Sequence, residues 1–136
     1  MLLTFFGCSN NSISTTEAPV KISLSDIIPA QRNLSNQPAQ DKLWRMKSDI
    51  WNHKLVEMAG TCGYVSDRSL HDFSKIEIYL YQGSDYVSVL FDKKWYDKIS
   101  QLPEKAYITI IGTVDYDYGY NTVIIQGSSF TFVQIT

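Results

Sequence analysis

The 136-residue sequence has few cysteines and histidines, no excess of positive charge and no long hydrophobic run. Its two cysteines and two histidines lack zinc-type spacing, so we expect neither a bound metal nor another cofactor. No apolar segment approaches the ~20 residues of a membrane-spanning helix. The formal net charge of −2 disfavours, without excluding, a nucleic-acid-binding protein, whose surface is typically basic.

Motifs for catalysis are missing as well. The sequence contains no nucleophile elbow and no phosphate-binding loop. Asp115 and Asp117 would share one face of a strand, but a hairpin tip offers carboxylates little shelter from water. We therefore expect a binding module rather than an enzyme.

The first twelve residues combine an apolar stretch, Leu2 to Phe6, with Gly7-Cys8 and then a polar run. This order resembles the end of a bacterial lipoprotein signal, in which a small residue precedes the lipidated cysteine. The resemblance implies that residues 1–8 are a signal remnant, that Cys8 carries the lipid, and that the protein is membrane-anchored in the cell envelope, on the periplasmic side. Because only seven residues precede Cys8 and none is basic, a cytoplasmic protein is the alternative.

Residues 9–40 are rich in serine, threonine, asparagine and glutamine, which predicts a flexible linker with at most one helical turn at Ser25–Ile28. Three prolines interrupt longer elements there: Pro19, Pro29 and Pro38. Residues 41–136 are predicted to form a helix, Asp41–Lys54, followed by a barrel. The helix would pack on the barrel or cap its open end through one stripe: Leu43, Met46, Ile50 and Lys54.

Five segments after Lys54 have strand character, and two hairpins are separated by a short helix at Trp95–Leu102. This order predicts a mainly β protein with a five-stranded Greek-key barrel, a short helix between strands 3 and 4 and an N-terminal helix. Trp95 would plug the barrel bottom. The predicted strands are Leu55–Val65, Lys75–Tyr81, Tyr86–Phe91, Ala106–Asp115 and Thr122–Gln126, the last continuing at Phe130–Val133 after a break.

Period-2 alternation assigns a buried and an exposed face to these strands. In the second strand, Ile76, Ile78 and Leu80 are predicted to face inward, so that Glu77, Tyr79 and Tyr81 face outward. In the third strand, Tyr86 and Ser88 would join the outer face. In the first strand, one inward face is predicted for Val56, Met58, Gly60, Cys62 and Tyr64, with Cys62 a small buried residue.

Three stretches carry a family resemblance: Gly60 to Val65, Val87 to Phe91 and Ile110 to Val114. With these, residues 54–134 resemble the oligonucleotide/oligosaccharide-binding (OB) fold of tRNA-anti-like proteins. The chain is also similar to predicted nucleic-acid-binding lipoproteins. The resemblance implies an OB barrel that binds single-stranded nucleic acid.

OB barrels bind single strands by stacking bases on aromatic side chains, while cations contact the phosphates. The expected platform is Tyr79, Tyr81 and Tyr86 with Ser88, and the expected flanking residues are Arg68, Lys75, Tyr116, Tyr118 and Tyr120. Two alternatives remain open. The tyrosines are common strand formers, and such a face would also suit an envelope protein or a small ligand such as a sugar or peptide. The sequence gives no oligomeric state.

Overall fold

The computed structural model describes residues 18–28, 37–117 and 122–133, and for residues 37–41 and 117 the backbone alone. Cys8, Tyr118 and Tyr120 lie outside these ranges. Among the described residues, the five predicted strands are present as β1 (Leu55–Ser66), β2 (Lys75–Gln82), β3 (Asp85–Asp92), β4 (Tyr107–Asp117) and β5 (Thr122–Phe132).

The strands are ordered β1-β2-β3-β5-β4, and β1 also pairs with β4, which closes the barrel. The β3–β5 pairing is parallel, whereas the other four barrel pairings are antiparallel. Between β3 and β4 the chain forms a 3₁₀ turn, Lys93–Trp95, and helix α3, Tyr96–Ser100. This connectivity is that of an OB fold, which confirms the predicted fold class.

The predicted inward faces supply the core. Ile76, Ile78 and Leu80 of β2 are at most 1% exposed. At the bottom of the barrel, the half-buried Trp95 ring packs on Phe91 and Phe130, with ring centroids 6.0 and 5.5 Å away, as expected for a plug. Cys62 is also buried, and this burial raises the pKa of its thiol.

A bulge in β1 reverses one prediction. Between Cys62 and Val65, β1 contains two residues, Gly63 and Tyr64, where β2 contains one. A bulge interrupts the alternation of a strand. Tyr64 is consequently 51% exposed, and its predicted place on the inward face is wrong. Gly63 permits this arrangement, because a Cβ there would lie 2.4 Å from the Tyr81 ring.

Part of the predicted linker packs against the barrel. Val20–Lys21 forms a short strand parallel to β1. Helix α1, Leu24–Ile27, then places Leu24 and Ile27 in the core, 1% and 0% exposed. The Ser23 N–H donates a hydrogen bond to the Asp26 carboxylate at 2.8 Å, which caps this helical turn.

Helix α2, Gln37–Trp51, begins four residues earlier than predicted and ends three residues earlier. Pro38 lies in its first turn, where the missing N–H breaks no helical bond. The buried side is formed by Trp44, Ser48 and the half-buried Trp51. The predicted stripe is wrong: Met46 and Ile50 are 52% and 53% exposed.

The reason for this rotation of α2 is the packing of Trp44. Its ring meets the Tyr116 ring edge-on, with centroids 5.3 Å apart. Burial of one large aromatic ring outweighs that of smaller side chains. Lys47 secures the same orientation by donating to the carbonyls of Ser25 and Ile28, the latter at 2.7 Å. Helices α1 and α2 are thereby joined.

We expect Ile27→Ala to lower the free energy of unfolding by about 2–5 kcal/mol, because it leaves a cavity in the core. Ile50→Ala removes the same atoms from an exposed position of α2 and should change stability by about 0.5 kcal/mol or less. Urea unfolding of both variants measures the difference. Equal losses would mean that α1 is not part of the folded core.

Candidate ligand-binding face

Four tyrosines form a cluster on the outer face of β1, β2 and β3, and we call Tyr64, Tyr79, Tyr81 and Tyr86 the tyrosine cluster. Tyr79 stacks on Tyr86 with ring centroids 4.4 Å apart and an interplanar angle of 25°. The Tyr64 ring lies 4.6 Å from that of Tyr79, and the Tyr81 ring lies 5.4 Å from that of Tyr86. The cluster is therefore continuous across three strands.

The β2–β3 hairpin sets the positions of three of these rings. Its two-residue turn is Gly83-Ser84, in which Gly83 takes a φ of 64°. A turn this short fixes the register of the two strands. The register places Tyr81 opposite Tyr86 and Tyr79 opposite Ser88. Because the Ser88 side chain is small, the Tyr86 ring can reach the Tyr79 ring diagonally.

Exposure differs within the cluster. Tyr64 and Tyr86 are 51% and 47% exposed, whereas Tyr79 and Tyr81 are half-buried beside them. The loss of solvent raises the pKa of Tyr79, and the neighbouring Tyr86 phenol and Glu77 carboxylate raise it further. The outward ring faces are thus those of Tyr64 and Tyr86.

A buried polar network lies next to the cluster. Glu77 is predicted to face outward, yet it is only 6% exposed. The Ser69 hydroxyl donates to its Oε1 at 2.9 Å, and the His71 N–H donates to the Ser69 Oγ at 3.0 Å. His71 Nε2 lies 3.8 Å from the Glu77 Oε2. The network thereby holds the β1–β2 loop and His71 beside the tyrosines.

The two predicted cations flank the cluster rather than enter it. Arg68 lies in the β1–β2 loop with its guanidinium 5.2 Å from the centroid of the Phe73 ring. Lys75 begins β2 and donates from Nζ to the Gln126 Oε1 at 3.1 Å. The same loop exposes Phe73 and Leu70. Of Arg68 and Lys75, the two cations that the sequence predicts in the site, Arg68 alone lies on an exposed loop.

Tyr116 does not belong to the candidate site. It was expected in the β4–β5 loop, but β4 continues to Asp117 and Tyr116 is 5% exposed. Its hydroxyl donates to the Ile27 carbonyl. Its role is therefore to attach α1 to the barrel, since the ring has no face free for stacking. Tyr118 and Tyr120 are outside the described residues.

A groove of about 320 Å³ adjoins the tyrosine cluster. One wall is formed by Ile28 and Trp44, and the opposite side by Tyr79, Tyr86 and Ser88. The helices therefore border the outer face of β2 and β3 without covering Tyr86, which keeps the platform accessible.

Sequence reasoning missed two members of this region, Tyr64 and His71. Gly60 and Gly63, which lie on either side of Cys62, were the signal in the sequence that could have indicated the outward position of Tyr64.

In the ranges that the structure describes, no three side chains of the metal-ligating kind lie together. No helix there is long and apolar enough to cross a membrane.

No protein-family model and no curated protein matches the chain. Solved structures do. A putative aspartyl-tRNA synthetase from Leishmania major Friedlin has a TM-score of 0.60 and 13% identity, over 90% of this chain and 22% of that one. Entamoeba histolytica asparaginyl-tRNA synthetase, in complex with asparaginyl-adenylate, has a TM-score of 0.53 and 15% identity, over 89% and 25%.

A third similar structure is OBody AM1L10 bound to hen egg-white lysozyme, with a TM-score of 0.51 and 16% identity, over 64% of this chain and 85% of that one. At these identities the likeness establishes the shared OB fold. The chain spans about a quarter or less of the two synthetase chains.

The raised pKa of Tyr79 has a measurable consequence. Above the ordinary value of 10.0, the unfolded chain releases this proton before the folded chain does. The contribution of Tyr79 to the free energy of unfolding is therefore complete below pH 10, and it is lost as the pH rises through the pKa that Tyr79 has in the folded chain. We expect Tyr79→Phe to remove one late-ionising phenol from an ultraviolet titration of the folded protein. Tyr107→Phe, exposed and outside the cluster, controls for the loss of one phenol; an unchanged late phase in Tyr79→Phe would contradict the assignment.

Proposed function

We propose that this chain is a binding module, not an enzyme, and that it binds single-stranded nucleic acid through the tyrosine cluster. The observation that carries the proposal is the stacked Tyr79–Tyr86 pair, extended by Tyr64, on an open face of an OB barrel. Base-on-aromatic stacking contributes about 1–3 kcal/mol per base. Two exposed ring faces, those of Tyr64 and Tyr86, would therefore support measurable affinity.

The strand would cross β1, β2 and β3 and leave the face at the β1–β2 loop. There the Arg68 guanidinium and the Phe73 ring offer a cation for a phosphate and an exposed aromatic surface for a base. Such contacts tolerate many sequences, because every base has a π face. The fold likeness to two aminoacyl-tRNA synthetases, enzymes named for an RNA, supports this ligand class.

The alternative function is binding of a protein, or of a small ligand such as a sugar or peptide. It is favoured by the scarcity of cations, since phosphate contacts supply most non-specific affinity for nucleic acid. Exposed aromatic side chains and arginine are also enriched at protein interfaces. An OBody of the same fold is bound to lysozyme, so the OB barrel is compatible with a protein partner.

We also propose that the module is tethered to a membrane of the cell envelope by a lipid on Cys8. The support is the order of residues in the sequence: an apolar stretch, Gly7-Cys8 and a polar run.

To test the nucleic-acid proposal, we would titrate the full chain carrying Cys8→Ser into labelled single-stranded DNA and RNA of about twelve nucleotides. We expect saturable anisotropy changes that weaken as salt rises, because phosphate contacts release counterions. Tyr64→Ala with Tyr86→Ala should abolish binding and lower the melting temperature only slightly, since both rings are about half exposed to solvent.

The matched control is Tyr96→Ala with Tyr107→Ala, which removes two exposed tyrosines outside the cluster. It should bind like the parent. Absence of binding at low salt, where electrostatic attraction is strongest, would overturn the proposal. Binding that ignores salt would mean that stacking on the tyrosines, and not phosphate contact, supplies the affinity.

For the tether, we expect the unmodified chain to fractionate with membranes in a bacterial host and to incorporate labelled fatty acid. Cys8→Ser should abolish both, because the thiol is the acylated group. Cys62→Ser, which alters a buried thiol, should change neither. Label on Cys8→Ser would disprove the assignment.

A further inference from the structure

The groove beside the tyrosine cluster has features of a built site that stacking alone does not use. It runs between the tyrosines and the helical wall, and its volume is about 320 Å³. Ser88 lines it, between two cross-strand neighbours, Tyr79 and Ile124. Ligand pockets range upward from about 300 Å³. The groove therefore suits one small planar group rather than a chain of them.

Polar groups border this space beside aromatic and aliphatic side chains. His71 lines the groove, and the Ser69–Glu77 network holds its loop in place. The Ser88 hydroxyl can donate and accept. On the helical wall, Trp44 is 7% exposed and contributes apolar surface.

The buried carboxylate of Glu77 strengthens this reading. A carboxylate on the outer face of a barrel would ordinarily lie in water, but here its burial is compensated by the Ser69 hydroxyl. This arrangement fixes the first part of the β1–β2 loop against β2. A fixed loop keeps His71 in place on the lining of the groove, as selective recognition requires.

We propose that this groove binds one nucleobase of the strand and gives the binding face a preference for a particular base at one position. A nucleobase matches the groove chemically. Its flat faces are apolar and would contact Tyr79, Tyr86 and Ile124. Its edge carries donors and acceptors that would meet Ser88 and His71. The inference rests on the proposed function and adds selectivity to a face whose stacking contacts are sequence-tolerant.

The test compares labelled twelve-nucleotide DNA strands of one background sequence that differ only in a central base, with all four bases represented. The parent, carrying Cys8→Ser, should bind one or two of these strands about three- to tenfold more tightly than the others, the range of one or two hydrogen bonds. Ser88→Leu fills part of the groove and should make the affinities for the four strands equal; because a larger side chain at Ser88 also crowds the Tyr79–Tyr86 stack, all four affinities should fall.

Ser88→Val, a milder strand-compatible change, should reduce the same preference and guards against misfolding of the leucine variant. Thr131→Leu makes a comparable change at an exposed position of β5 and should keep the preference. Melting curves establish that each variant is folded.

The outcomes separate this inference from the function on which it rests. Equal affinity of the parent for all four strands would overturn the base-selective groove and leave tyrosine stacking intact. A preference that survives in folded Ser88→Leu would also overturn it. Failure of every strand to bind would instead overturn the proposed function.

Discussion

The architecture depends on β1 pairing with two other strands of the barrel, β4 and β2. Its first part, Leu55 to Thr61, is hydrogen-bonded to β4, and its second part, Thr61 to Ser66, is paired with β2. This double pairing closes the barrel and removes the exposed edges of an open sheet. The bulge at Gly63 lies in the second part, where β1 leaves β4 behind and follows β2. Closure and the outward position of Tyr64 therefore have a common origin in the course of this strand.

The N-terminal segment is a second requirement. Residues 18–28 extend the sheet beside β1 and insert α1 against the core, and α2 then packs over Tyr116. Two hydrogen bonds join these parts to the barrel: Leu24 N–H donates to the Gln82 Oε1, and Asn52 Oδ1 accepts from Tyr116 N–H. One wall of the groove consequently belongs to the helices, so the barrel alone would lack it.

The sequence predicted best what local alternation determines. Period 2 identified the inward residues of β2 and assigned Tyr79, Tyr81, Tyr86 and Ser88 to one outer face, where the register of the hairpin brings them together. The sequence did not predict the positions that depend on contacts between residues far apart in the chain. Tyr64 turns outward because of a bulge, and Tyr116 is buried by a residue 89 positions away. On α2, two stripes of apolar side chains were available to face the barrel. Contacts with the barrel bury the stripe that contains Trp44, and the sequence of the helix alone does not specify those contacts.

The stacking of the tyrosines on one another has a consequence for the thermodynamics of binding. A side chain that must be immobilised by its ligand costs about 0.5–1.5 kcal/mol in conformational entropy. Here the rings restrain each other before any ligand arrives, so most of this cost has already been met during folding. The same mutual contact occupies one side of the Tyr79 and Tyr86 rings. The cluster is thus rigid and one-sided: it can receive a flat ligand from solvent, but it cannot enclose that ligand between two aromatic rings.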